Sequence, residues 1–104
     1  MAQATVNPGV CGFHTRLEVI PQADGRCLVG GESACLHVAR LLASLGSVDP
    51  YGEISYQPET PRILSMAGKV LPHPACPVPC ALLKTMEVAG GLALPANVSV
   101  VIAE

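Results

Sequence analysis

Alternating apolar and polar positions predict a β-hairpin near the start of the chain. In Thr15–Ile20, Leu17 and Val19 alternate with charged side chains, as in a strand with one solvated face. Pro21–Gly25 is typical of a loop because it ends in a turn dipeptide. Arg26–Gly30 then predicts a second strand, antiparallel to the first.

Two other segments have the character of strands. The run Val98–Ile102 is rich in β-branched residues and predicts a last strand that pairs in the same sheet. Residues 2–7 predict an additional strand at the edge of that sheet. Between these segments, the residues from Ser47 to Thr60 have the composition of a loop.

Helical spacing of apolar residues predicts three helices. The first is capped by Ser33 and stopped by Gly46, and its inward positions are Val38, Leu41, Leu42 and Leu45. The second is short, begins at Pro61 and ends at Gly68. The third and longest begins at about Pro79 and continues through Ala89, with an inner stripe of Leu82, Leu83, Met86 and Ala89.

This order of elements predicts an α+β fold. We expect a two-layer sandwich, in which two or three helices pack on one face of a small antiparallel sheet of three to four strands. A length of 104 residues suits one domain, and no linker divides the chain, so residues 1–104 are predicted to form a single domain.

Composition narrows the range of functions. The chain is 50% hydrophobic, 13% charged and 3% aromatic, which predicts an aliphatic core and a surface with few charges. The net charge of −2 and the lack of a Lys/Arg cluster argue against nucleic acid and anionic membranes as partners. The apolar surplus favours a homodimer or a protein partner, and a dimer could add the last strand to a neighbour's sheet.

The start of the chain shows neither a basic segment nor an apolar segment typical of a secretory signal, so we expect a cytoplasmic protein. A reducing cytosol disfavours structural disulfides. The chain nevertheless contains five cysteines: Cys11, Cys27, Cys35, Cys76 and Cys80. In that setting, cysteines bind metal, perform redox chemistry or fill the core as small apolar side chains.

The predicted positions of the cysteines favour a site. Cys35 and Cys80 fall in first turns of predicted helices, where free N–H groups stabilise thiolates. Cys76 lies just before Cys80, in a loop stiffened by four prolines, and Cys11 lies in a glycine-flanked turn. Cys27 lies within a predicted strand and is expected to be an ordinary core residue.

The spacing Cys76-x3-Cys80 is common among metal-binding loops. We predict that Cys11, Cys35 and Cys76 converge near two helix ends, with Cys80 as the fourth ligand and His73 as its alternative. Four thiolates bind zinc or an iron–sulfur cluster, in a structural or electron-carrying role without independent catalysis.

Two alternatives remain open at this stage. In the first, the 71–79 loop and the Asn7–Phe13 turn form a rigid surface that docks a partner protein, and the cysteines are only structural. In the second, Cys76 and Cys80 form a thiol-redox pair, although their spacing differs from the better-known C-x-x-C motif.

Two sequence blocks resemble a family of small uncharacterised proteins of about 100 residues, found chiefly in anaerobic bacteria and archaea. The first block is Asn7-Pro8-Gly9-Val10-Cys11-Gly12-Phe13. The second runs from His73 through Cys76-Pro77-Val78-Pro79, Lys84 and Glu87-Val88-Ala89 to Gly91-Leu92-Ala93-Leu94-Pro95. The resemblance covers most of the chain and implies no particular activity. An anaerobic setting suits oxygen-sensitive iron–sulfur chemistry, so by association it favours a cluster over zinc.

Overall fold

The computed structural model describes residues 1–104 and confirms the predicted α+β fold. An antiparallel sheet of four strands has the order β1-β2-β3-β4 and is accompanied by three α-helices. The strands are β1 (Ala2–Val6), β2 (Thr15–Pro21), β3 (Cys27–Ser33) and β4 (Ser47–Val48). The helices are α1 (Leu36–Leu45), α2 (Arg62–Val70) and α3 (Val78–Ala89), and a 3₁₀ helix spans Pro50–Glu53.

One face of the sheet carries the helices and the other faces solvent. In β2 the buried side chains are Thr15, Leu17 and Val19, which alternate with the partly exposed Arg16 and Glu18. Helix α1 packs against β3, α3 packs against β1 and β2, and α2 contacts both of these helices. The predicted alternation of β2 therefore separates the core from the solvated face.

The core is aliphatic, as the composition predicts. Its fifteen buried residues include no aromatic side chain, and Leu17, Leu41, Leu82 and Met86 are fully buried within it. Each such side chain contributes about 1.5–3 kcal/mol relative to exposure, so contacts between the helices and the sheet dominate the stability of the fold. None of the helices combines the length and apolar character needed to cross a membrane.

The structure corrects the prediction for the last strand. Residues 2–6 do form the predicted edge strand, but Val98–Ile102 pairs with nothing, and residues 92–104 are exposed and lack secondary structure. A β-branched run reaches its preferred state only beside a strand edge, because its propensity reflects packing on a sheet surface. In this structure the segment does not lie beside a strand edge.

Helix boundaries also differ from the predicted ones. Ser33 remains in β3, where its hydroxyl bonds to Thr15 Oγ1 at 2.7 Å and accepts from the Cys35 N–H at 3.1 Å. Cys35 is therefore the residue that precedes α1, rather than a member of its first turn. Helix α2 continues past Gly68, its predicted end, to Val70.

A buried carboxylate organises the segment predicted as a loop. Glu53 is only 6% exposed and accepts from the N–H groups of Arg62 at 2.8 Å and Ile63 at 2.7 Å. These are two of the donors that a helix leaves free at its start, so Glu53 caps α2 from outside the helix. The Arg62 guanidinium in turn donates to the carbonyls of Leu45 at 2.7 Å and Ser47 at 3.1 Å. Together these bonds fix α2 against the end of α1.

Candidate thiol site

A cavity of about 470 Å³ lies beside the start of α3. Two cysteines and one histidine contribute to its wall: Cys76, Cys80 and His73. The remaining wall comes from α2 and from the segment between α2 and α3, namely Leu64, Ala67, Gly68, Leu71, Pro72, Pro74 and Pro79. The cavity therefore combines an apolar wall with three side chains able to bind metals.

The segment between α2 and α3 holds the three side chains in a short, stiff stretch of backbone. The carbonyl of His73 accepts a hydrogen bond from the Cys76 N–H at 3.3 Å, which closes a tight turn. Prolines on both sides of this turn fix their own φ angles and restrict the residues before them. Helix α3 starts at Val78, so Cys80 is its third residue, as a first-turn position requires.

The three side chains make no hydrogen bond and no ion pair. Cys80 and His73 are exposed, whereas Cys76 is half-buried and packs against the core. None of them takes part in a side-chain hydrogen bond or an ion pair. All five cysteines are free thiols. Ligand binding here would break no bond on which the fold depends.

Helix α2 supplies a wall that sequence reasoning missed. Gly68 lies inside α2 and lines the cavity, and a Cβ placed there would meet no atom within 4 Å. Glycine inside a helix costs about 1 kcal/mol relative to alanine, so it commonly has a packing or functional reason. The prediction that Gly68 ends α2 is wrong, because the helix continues to Val70.

The predicted four-cysteine arrangement is not found. No group of three or more His, Cys, Asp or Glu side chains is gathered closely enough to hold a metal ion. Cys11 lies in the exposed turn after β1, and Cys35 precedes α1, where it packs against the core. Neither Cys11 nor Cys35 lines the cavity beside α3. Of the predicted ligands, Cys76, Cys80 and His73 line the cavity beside α3.

Cys27 is a core residue, as its place in a strand predicts. Its side chain is 1% exposed and belongs to the apolar cluster beneath the sheet. Burial raises the pKa of the Cys27 thiol, and the nearby negative charge of Asp49 acts in the same direction. The thiol form is therefore favoured, and the thiolate needed for metal binding or attack is disfavoured.

These environments predict an order of thiol reactivity. With iodoacetamide at neutral pH, we expect Cys11 and Cys80 to be alkylated first, because both are exposed. Cys35 and Cys76 should follow, and Cys27 should react only when the protein unfolds. Mass spectrometry of peptides from a timed reaction measures each rate. Alkylation of Cys27 in the folded protein as fast as that of Cys11 would contradict the assignment.

Almost the whole chain matches a protein-family model. A family model described as a family of unknown function, DUF6951, matches residues 2–102. The chain belongs to the DUF6951 family. This match confirms the resemblance to a small uncharacterised family, while the two sequence blocks remain a prediction. No curated protein and no solved structure matches the chain.

Proposed function

We propose that the cavity beside α3 binds one zinc-like metal ion through Cys76 and Cys80, with His73 as a third ligand. The observation that supports this most directly is that these three side chains line one cavity and have no other partner. Zinc in proteins prefers thiolate sulfur and imidazole nitrogen. A tetrahedral ion bound by three protein ligands retains an open position, which water or a small molecule fills.

The surroundings favour a metal–thiolate centre. Cys80 lies in the first turn of α3, where the helix dipole and free N–H groups favour negative charge. The stiff backbone between α2 and α3 reduces the conformational entropy lost when the side chains converge. The side chains are not already drawn into a coordination sphere, so binding requires rotation of the exposed Cys80 and His73 side chains.

A single ion fits this cavity better than an iron–sulfur cluster. Clusters are usually held by four cysteine thiolates. Here Cys11 and Cys35 do not line the cavity, so only two thiolates are available to one ligand. The proposal therefore keeps the predicted metal role but reduces the ligand set to Cys76, Cys80 and His73.

Zinc titration tests the proposal. In reducing, oxygen-free buffer, competition with a chromophoric chelator should show one zinc per chain. Replacing Cys76 or Cys80 by serine should weaken binding by about a hundredfold or more, because a zinc–thiolate bond is lost. His73→Ala should weaken it less than either cysteine variant.

Cys11→Ser is the matched control, since it removes an exposed thiol from outside the cavity. It should leave the zinc affinity unchanged. Gly68→Ala should show whether a methyl group on the cavity wall changes the zinc affinity. An absence of stoichiometric binding would overturn the proposal. So would an equal loss of affinity in Cys11→Ser and Cys80→Ser.

A second candidate is thiol–disulfide exchange by the same pair. It is favoured because Cys76 and Cys80 share a cavity and Cys80 is accessible to a partner. In this reaction the two thiols would form a disulfide and give two electrons and two protons to a substrate disulfide. Equilibration with glutathione buffers, followed by peptide mass spectrometry, should then show a Cys76–Cys80 disulfide. Mixed disulfides alone would argue against this candidate.

A further inference from the structure

A segment of exposed apolar residues follows α3. Leu94, Val100 and Ile102 are 89%, 81% and 90% exposed, although isolated chains usually bury such side chains. Residues 94–104 make no backbone hydrogen bond within the chain. The segment thus leaves both its apolar surface and its backbone donors and acceptors unpaired.

The sheet has a matching unpaired edge. Strand β1 lies at one edge, spans five residues and contains neither proline nor a charged side chain. Proteins usually protect a free edge with such residues, so an edge without them is a template for another strand. The opposite edge is less suitable, because β4 contains only Ser47 and Val48.

The segment begins at the end of the sheet where β1 begins, but on the side of β4, at the opposite edge. Gly90 lies against Pro50, which follows β4, and the strand register places this end of β4 on the side of the sheet where β1 begins. The N–H groups of Leu92 and Ala93 donate to the Glu87 carbonyl, so the free connection is residues 94–97, which span about 13 Å when extended. Pro95 restricts Leu94 to extended conformations, so this connection favours an arm that projects from the chain over one that doubles back.

The alternation of side chains in Val98–Ile102 matches that in β1. Val98, Val100 and Ile102 lie on one face of an extended strand, because side chains alternate with a period of two. In β1, the corresponding alternate residues Ala2 and Val6 are buried on the helix side of the sheet. Pairing would therefore extend the apolar side of the sheet by three large side chains. Five residues are also about the mean length of a strand in globular proteins.

We propose that Val98–Ile102 adds as a fifth strand to the free edge of β1 in a second copy of this chain. The exchange is reciprocal, so each copy gives one strand and receives one, as in a symmetric dimer. It buries the apolar segment and leaves neither β1 edge unpaired. This interaction is independent of the metal site proposed above.

Analytical ultracentrifugation of the full 104-residue chain, at micromolar to submillimolar concentrations, tests the exchange. The expected mass is twice the 10.7 kDa of one chain. Val100→Pro should halve that mass, because proline removes a backbone donor and is excluded from paired strands. Val101→Thr is the matched control: it keeps the N–H and the β-branched shape and should remain dimeric.

Far-ultraviolet circular dichroism checks that both variants are folded. We expect both to fold, because residues 98–102 are exposed and unpaired within the chain. Hydrogen exchange should show protected amides in 98–102 in the wild-type chain and not in Val100→Pro. A wild-type monomer would overturn the proposal, including one with protected amides, since the segment would then have closed on its own β1. A Val100→Pro dimer would also overturn it, because another surface would hold the copies together.

Discussion

Gly31→Ala is expected to destabilise this protein strongly. Gly31 lies in β3 opposite Leu17 and has a φ of 136°, a conformation that L side chains rarely adopt. A Cβ at this position would collide with the carbonyl oxygen of Arg16 and lie 3.1 Å from the Leu17 Cα. Both obstacles are backbone atoms in the centre of the sheet, so side-chain rotation cannot relieve the collision. We expect a loss of about 3–5 kcal/mol, against a typical total of about 5–15 kcal/mol.

The neighbouring residue provides the control for this prediction. A Cβ at Gly30 would lie 3.5 Å from the Glu18 Cγ, which is an ordinary contact. Gly30→Ala should therefore change the unfolding free energy by less than about 1 kcal/mol. Urea unfolding of both variants, followed by circular dichroism, measures the difference. Equal stabilities would show that β3 does not pass as close to β2 as described.

Glu53→Ala is expected to have the second largest effect. The substitution leaves the N–H groups of Arg62 and Ile63 without their acceptor, at a helix start where Ile63 is buried. Hydrogen bonds to charged groups contribute about 1.5–3 kcal/mol, and unpaired buried donors are costly, so we expect a loss of about 2–4 kcal/mol. Because Arg62 also joins the end of α1, the loosening should extend to the contact between α1 and α2.

Glu59→Ala is a suitable comparison, because Glu59 is exposed and makes no side-chain hydrogen bond. It should change stability by no more than about 0.5 kcal/mol. Glu53→Gln should fall between the two, since the amide retains one oxygen acceptor. Thermal and urea unfolding would show this order, and a Glu53→Ala protein as stable as Glu59→Ala would contradict the capping role.

The parts of the fold that were predictable are those determined locally. Leu17 and Val19 alternate with charged residues, as in a strand with one buried face. Four apolar residues repeat with helical spacing and are buried: Val38, Leu41, Leu42 and Leu45. The buried face of each element was therefore predictable from its own residues. Ser33 and Gly68 were misplaced because each has a role set by tertiary contacts. Ser33 bonds to Thr15 on a neighbouring strand, and Gly68 faces a cavity whose other wall comes from α3. Neither partner is close in sequence.

The difference between local and tertiary determinants also explains which candidate site residues lie together. His73, Cys76 and Cys80 are close in sequence, and they line one cavity, so the local spacing was informative. The inclusion of Cys11 and Cys35 required distant elements to meet, but neither residue lines the cavity and no group of three or more metal-binding side chains forms. The capping role of Glu53 was not predicted for a similar reason. Its carboxylate accepts hydrogen bonds from two backbone N–H groups that are nine and ten residues away.

Cobalt substitution tests the central claim most directly, because the spectrum of Co²⁺ reports both its geometry and its sulfur ligands. One equivalent of Co²⁺ added to the reduced protein should give intense visible bands of tetrahedral cobalt and a near-ultraviolet thiolate charge-transfer band. Cys80→Ser should weaken the charge-transfer band, and Cys11→Ser should leave it unchanged. A weak spectrum like that of hydrated Co²⁺, identical in all three proteins, would contradict metal binding by Cys76, Cys80 and His73.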